Sequence, residues 1–306
     1  MKYLNDISYK DCVGKVCKSK STDDFKVLKY NNAKDIEIQF LKTGFETSAT
    51  LGNIRNGSVK DRYSTSVFGV GVLGTKYPSK ISGRNTKEYV LWQSMLQRCY
   101  SDAYKKKYQT YEGCEVSDNF KSFEYFYEWC HSQIGFDNDG NGNPFQLDKD
   151  LLVKGNKVYS EDSCVFLPQE INSLLVKCTA SRGKHLIGVS WNNASKAFVA
   201  MVRKNERKSE HLGYFKTEIE AFNAYKTAKE SFVKEQAEKW KGKIDIRAYK
   251  ALMNYTVEIT DWLKLRRKQM NEFVKGVLCL GLAVILFLLA DVYDIEHFSE
   301  VFKMFE

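Results

Sequence analysis

Residues 188–215 (GVSWNNASKAFVAMVRKNERKSEHLGYF) gather cations, an indole and alternating apolar side chains in one short stretch. Lys196, Arg203, Lys204, Arg207 and Lys208 stand among runs that alternate apolar and polar. Ammonium and guanidinium groups hold phosphate oxygens, and the arginine fork can also read a base edge. This chemistry is recognition of a polyanion. The charge balance points the same way. The 306-residue chain carries a net charge of +9, and residues 179–256 hold 16 Lys and Arg against 8 Asp and Glu. Residues 83–178 hold 11 against 14, so nearly the whole surplus lies in one segment. Such a concentration is the footprint expected of a nucleic-acid or acidic-surface partner.

Two other patterns bear on chemistry. Residues 137–148 (DNDGNGNPFQLD) match several positions of a calcium-binding helix-loop-helix loop, but Pro144 falls where a short strand is needed. Asp, Asn and Gly at that density read more simply as a polar turn loop. The eight cysteines (12, 17, 99, 114, 130, 164, 178 and 279) include no Cys-x-x-Cys pair, which argues against a zinc ribbon. With no signal peptide to be read, they are expected to be free, buried thiols in a reducing cytoplasm.

The elements that must position the basic stretch follow from periodicity. The expected fold is α+β and multidomain. Residues 1–82 form a β-rich module: Asp35–Phe40 (DIEIQF) alternates as a half-buried strand does, and residues 55–61 contain Asn-Gly, a hairpin-turn signal. Residues 67–74 (VFGVGVLG) read as a strand and turn. Residues 83–178 are mixed. Lys87–Tyr100 has Val90, Leu91, Met95 and Cys99 at helical spacing, and Phe120–Ile134 is a second amphipathic, aromatic-rich helix. Residues 147–172 follow as two short strands about a Gly-Asn turn, then a helix start. Residues 179–256 read as three strands and a helix that begins at the capping box Thr217–Glu220. Ala221, Ala224, Tyr225, Ala228 and Phe232 share one face of that helix. Along the middle strand Phe198, Ala200 and Val202 point one way, and Val199, Met201 and Arg203 the other. A helix covering one side leaves the second side of the sheet free.

The succession G-V-S-W, K-A-F-V-A-M-V-R and H-L-G-Y-F-K-T-E-I-E-A-F-N-A-Y, within about 60 residues from Lys184, resembles the Apetala-two or ethylene-response-factor DNA-binding domain. That family folds as a three-stranded sheet on one helix, and the free face of its sheet enters the major groove. The resemblance implies DNA contacts at Ser190, Trp191, Met201, Arg203 and His211, with Tyr225 near the DNA backbone. Lys184, Lys196, Lys204, Arg207 and Lys208 would then neutralise phosphates. The plant domains have Arg, Glu and Trp where this chain has Ser190, Met201 and His211, so their site preference is not expected to transfer.

Trp92–Tyr100 (W-x-x-M-x-x-R-C-Y), followed by L-D-K-D-L-L-x-x-G-N-K-x-Y-S-x-x-x-C-x-F-x-P-x-x-I-N over Leu147–Asn172, is similar to HNH-like proteins of bacteriophages. The group implies a ββα-type core, and its pairing with a DNA-reading domain resembles homing endonucleases. An HNH nuclease needs a histidine base and a metal ion such as Mg²⁺. The position of that histidine falls on Lys149, and that of the central asparagine on Ser163. The resemblance leaves Asp148, Lys149 and Asp150 as candidate catalytic residues, and Asp148, Asp150 and Asn172 as candidate ligands of a divalent cation. A lysine base would require burial to lower its proton affinity.

Residues 257–306 form a tail with a basic run at 264–268 and a fifteen-residue apolar run at 276–290. Extended to 273–293, the run reaches the length of a membrane span, with the cations before it placing the bulk of the chain in the cytoplasm. The alternative is a buried or partner-binding helix. The combined expectation is a phage or mobile-element protein that binds double-stranded DNA in the bacterial cytoplasm. In that reading it has a degenerate HNH-like core that does not cleave, a C-terminal hydrophobic helix and a tail anchor in the inner membrane. Its rivals are an active homing-type endonuclease and a membrane-anchored structural or partner-binding protein.

Overall fold

The computed structural model describes residues 12–20, 23–137, 145–175, 185–204 and 209–259. They fall into two compact units, one within Met1–Val176 and Val233–Asn254, the other within Lys177–Phe232 and Tyr255–Glu306. The architecture is α+β, with a β-rich N-terminal region and a separate three-stranded sheet.

The first unit opens with an antiparallel meander of β1 (Val16–Cys17), β2 (Phe25–Asn32), β3 (Asp35–Phe40) and β4 (Glu46–Ala49). In β3, Ile36, Ile38 and Phe40 are buried while the residues between them are not, the period-two pattern expected of this stretch. These three pack with Phe25, Val27, Cys12, Cys17 and Ile54 into one core. The Asn-Gly pair makes no hairpin. Helix α1 (Leu51–Arg55) starts at the Thr50 cap and ends at Asn56, with Gly57 at φ +61 just beyond. Asn-Gly serves there as a helix stop, a use of left-handed backbone equally open to this dipeptide.

A small hairpin, β5 (Lys80–Ile81) with β6 (Arg84–Asn85), leads to α2 (Lys87–Tyr100), which spans the expected residues. Its buried face is Glu88, Trp92, Met95, Leu96 and Cys99, and Val90 is exposed. No regular strand forms over residues 67–74. Val67 and Gly71 form an isolated bridge, and a Cβ at Gly71 would overlap Trp92 and Leu96, so backbone rather than side chain fills that space.

Helix α3 (Asp102–Lys107) and a 3-10 turn (Gln109–Tyr111) come next, then β7 (Glu115–Val116). The aromatic helix expected over Phe120–Ile134 is two helices, α4 (Asp118–Lys121) and α5 (Phe123–Ser132). Ser122 breaks it. Its hydroxyl accepts from the Tyr125 amide as a cap, and its backbone bridges to Val72. Phe120, Phe123, Phe126 and Trp92 are fully buried, and the Trp92 indole donates to the Phe120 carbonyl at 2.8 Å. The remaining strands, β8 (Gln146–Asp148), β9 (Val158–Tyr159) and β10 (Val165–Leu167), precede α6 (Gln169–Leu175). The two strands flanking the Gly-Asn turn do not pair with each other: β8 runs antiparallel to β10, and β9 runs parallel to β7.

The second unit contains β11 (Val189–Asn192), β12 (Ala197–Arg203) and β13 (Ser209–Phe215), antiparallel in that order. Helix α7 (Glu218–Lys239) follows; Thr217 and Glu220 form the expected capping box, with bonds of 3.2 and 3.1 Å. Ala200, Val202, Ala221, Phe222, Tyr225, Leu186 and Val257 make the core between sheet and helix. The last turns of α7 and helix α8 (Ile246–Met253) belong to the first unit.

The expectation of a transmembrane helix is corrected. No helix among the described residues is long and apolar enough to cross a membrane, and residues 273–293 lie outside the described residues.

Candidate nucleic-acid interface

Register decides which side chains share the free face of the sheet. Residues directly opposite one another in an antiparallel pair point the same way. Ser190 pairs with Val199, Val199 with Tyr214, Met201 with His211, and Arg203 with Ser209. None of these belongs to the helix-covered core, so together they form the open face. Met201 is 42% exposed and Tyr214 57%, both large for apolar side chains on a surface. Val199 is buried between its neighbours in the middle strand. The His211 and Tyr214 rings lie 4.8 Å apart.

Tyr214 was not anticipated, because simple alternation from His211 assigns the outward position to Gly213. The register shifts between Ala200 and Met201, and Leu212 is the extra residue on β13. Leu212 packs toward the core, Gly213 takes φ +136, and Tyr214 comes round beside His211. A glycine inside a strand pattern is the sequence signal for such a bulge.

Other anticipated residues lie elsewhere. Trp191 pairs with Phe198, which packs on the helix side; their rings are 4.9 Å apart, and the indole donates to Asn193 Oδ1 at 3.0 Å. Tyr225 is only 7% exposed, its ring packed on the backbone of Gly188, which withdraws it from any surface role. Lys204 also turns to the helix side, paired with Glu210 at 2.6 Å and lying over the Phe232 ring. Lys196 occupies the β11–β12 turn at φ +48 and is exposed. Lys184, Arg207 and Lys208 lie outside the described residues, as do Cys178, Cys279 and most of the loop 137–148. Arg203 is therefore the one formal cation placed on the open face among the described residues, and no carboxylate there pairs with it.

The central segment brings Asp148, Lys149 and Asp150 together, but into contacts with their own loop. One oxygen of Asp148 accepts from the amides of Asp150 and Leu151 at 3.0 and 2.8 Å, and burial raises its carboxyl above the usual range. Lys149 is 7% exposed; its ammonium donates to Asp150 at 2.6 Å and to the Asn156 carbonyl at 2.9 Å, and lies over the Tyr159 ring. Asn156 returns two bonds to the carbonyls of Lys149 and Val158. Ser163 closes the turn through Val158 and Ser160. Asn172 donates its amide to Gln146.

These residues do not fit a metal ion well. Asp148 spends an oxygen on the turn, Asp150 is held by Lys149, and Asn172 is directed to Gln146. No group of three His, Cys, Asp or Glu side chains able to hold a metal is present among the described residues. Lys149 acts in every contact as a donor or a cation, the opposite of a base. His131 pairs with Glu88 at 2.9 Å and its ring lies tilted 4.5 Å from that of Tyr127, a structural position. The six described cysteines are buried.

No protein-family model, curated protein or solved structure matches this chain.

Proposed function

We infer that this chain is a double-stranded-DNA-binding protein of the kind carried by bacteriophages and mobile elements, working in the cytoplasm of the host cell. The observation that carries this reading is the three-stranded sheet with one side packed on a helix and the other presenting Ser190, Met201, Arg203, His211 and Tyr214. Three strands at about 4.8 Å spacing make a ribbon about 10 Å across its backbones, which suits a major groove about 12 Å wide. Arg203 takes guanine through its two-pronged donor face. Met201 packs against a thymine methyl, and Ser190 and His211 supply polar contacts to base edges. Lys196 positions the ribbon on a phosphate. The net +8 of residues 179–256 supplies the long-range attraction.

The ββα arrangement of β8, β10 and α6 acts in this reading as a non-cleaving core. Its polar groups are consumed in holding its own loop, so no hydrolytic step is assigned to Asp148, Lys149 or Asp150.

Two measurements test the proposal. Duplex binding by the whole chain should weaken steeply with salt, and Arg203→Ala should cost about 1–3 kcal/mol on selected sites. Lys204→Ala, already ion-paired, should change little. Binding that is indifferent to salt, or equal losses at the two positions, overturns the sheet as reader. Supercoiled plasmid incubated with Mg²⁺ or Mn²⁺ should stay intact; nicking that disappears in Asp148→Ala restores the endonuclease reading.

A further inference from the structure

The first unit carries its own cluster of cations and rings, built by α2, α3 and the 3-10 turn. Tyr104, Tyr108 and Tyr111 form it: Tyr104 lies 4.7 Å from Tyr108 and 5.7 Å from Tyr111. Lys107 sits over the Tyr108 ring at 5.2 Å, and Arg98 over Tyr111 at 5.7 Å. Lys157 donates to the Thr110 carbonyl at 2.8 Å. Lys106 and Lys107 are exposed, and Tyr108 is 41% exposed.

Lys105 is paired with Asp102 at 3.6 Å, but Arg98, Lys106, Lys107 and Lys157 have no carboxylate partner among the described residues. Arg98 is the informative one. It is half-buried, and its neighbours are phenols: the Tyr159 hydroxyl, with Tyr111 and Tyr104 close by. Burial keeps Tyr159 a neutral phenol by pushing its proton affinity up. A guanidinium has five donors, and withdrawing one from water without an anion is costly. Arg98 therefore supplies a fixed positive centre over the Tyr111 ring, with Lys107 over the Tyr108 ring and the exposed Lys106 next to it in the chain.

The geometry points to a second nucleic-acid site at Arg98, Lys106, Lys107, Tyr108, Tyr111 and Lys157, one that takes a single-stranded segment. The lysines hold successive phosphates and the exposed Tyr108 ring stacks on an unpaired base. Duplex DNA keeps its bases stacked within, so an exposed ring flanked by cations suits an unpaired strand better. This site is independent of the sheet β11–β13: either can exist without the other.

The test uses the whole chain and two fluorescently labelled probes, an oligothymidine and a duplex, with anisotropy as the readout. Lys106→Ala with Lys107→Ala should flatten the salt dependence of oligothymidine binding by about 1.4 in the log–log slope, at about 0.7 per phosphate contact. Adding Tyr108→Ala should bring the loss to at least about tenfold, while Tyr108→Phe keeps the affinity. Arg203→Ala should leave oligothymidine binding within about twofold while weakening the duplex. The site is refuted if the whole chain does not bind oligothymidine. It is equally refuted if the triple variant loses no more than Lys80→Ala, an exposed lysine outside the cluster, or if its loss is confined to the duplex. In each case the duplex result for Arg203→Ala still reports on the sheet separately.

Discussion

Replacing Gly188 by alanine should loosen the second unit by a calculable amount. Gly188 sits at φ +75, and a Cβ built there would lie 2.0 Å from Cδ2 and 2.3 Å from Cγ of Tyr225. Two costs combine. A left-handed backbone costs an L-residue about 1–2 kcal/mol. Overlap with a ring that cannot retreat costs about 1–3 kcal/mol more, and Tyr225 is 7% exposed in the core. The sum, about 2–5 kcal/mol, is a large part of the about 5–15 kcal/mol that holds an ordinary domain folded. A double-mutant cycle separates the two costs. With Tyr225→Ala as background the ring is gone, and Gly188→Ala should then cost only the backbone part, a coupling of about 1–3 kcal/mol. Because the chain has two units, a single melting curve would mix their transitions. Native-state hydrogen exchange at the β12 amides reports on the second unit alone. Costs that add to within about 0.5 kcal/mol would refute the packing of Tyr225 on this glycine.

Three further outcomes are expected. Asp148→Asn keeps the acceptor for the two turn amides and removes a carboxylate whose folded proton affinity burial has raised. The folded wild type holds that proton more tightly than the unfolded chain, so its stability should fall as pH climbs above the ordinary carboxylate range near ~4. The variant should lack this fall and match or exceed wild type at neutral pH; a wild-type advantage that grows with pH in denaturant titrations would contradict the burial argument. The thiols of Cys99 and Cys164 are pushed up to about 12 and that of Cys17 to about 11, in each case chiefly by burial. Mass spectrometry after brief iodoacetamide treatment near pH 8 should find these three unmodified in the folded chain and modified in denaturant. Thr217→Ala, which removes the acceptor for the Glu220 amide, should cost about 1 kcal/mol and raise exchange in the first turn of α7, whereas Thr217→Ser should not.

Much of the fold was legible because burial imposes periods. The β3 alternation, the limits of α2, and the order of three strands and a capped helix all follow from side chains that must reach a core every two or every 3.6 residues. The sequence misled where a local signal has two uses. Asn-Gly can turn a hairpin or stop a helix, and only the packing of Ile54 into the N-terminal core decides. Ser122 reads as an ordinary helical residue until its hydroxyl is seen capping α5. At the candidate interface, alternation placed Met201 and Arg203 on the free side, but it could not see the bulge that brings Tyr214 there. Nor could it see that Lys204 is drawn to the helix side and to Glu210. The cluster around Arg98 was illegible for another reason. Its members come from 98 to 157 in the chain, and no local period links them.

The extra residue in β13 has a consequence for how such a module could change over generations. Side chains alternate strictly along a strand, so gaining or losing one codon reverses the outlook of every position beyond it. Leu212 absorbs such a change: without it His211, Gly213 and Tyr214 would still oppose Met201, Ala200 and Val199 in plain alternation, and His211 and Tyr214 would keep the open face. A lineage can therefore gain or lose a residue at this point and keep the same open face, where the same change elsewhere in the strand would reverse it.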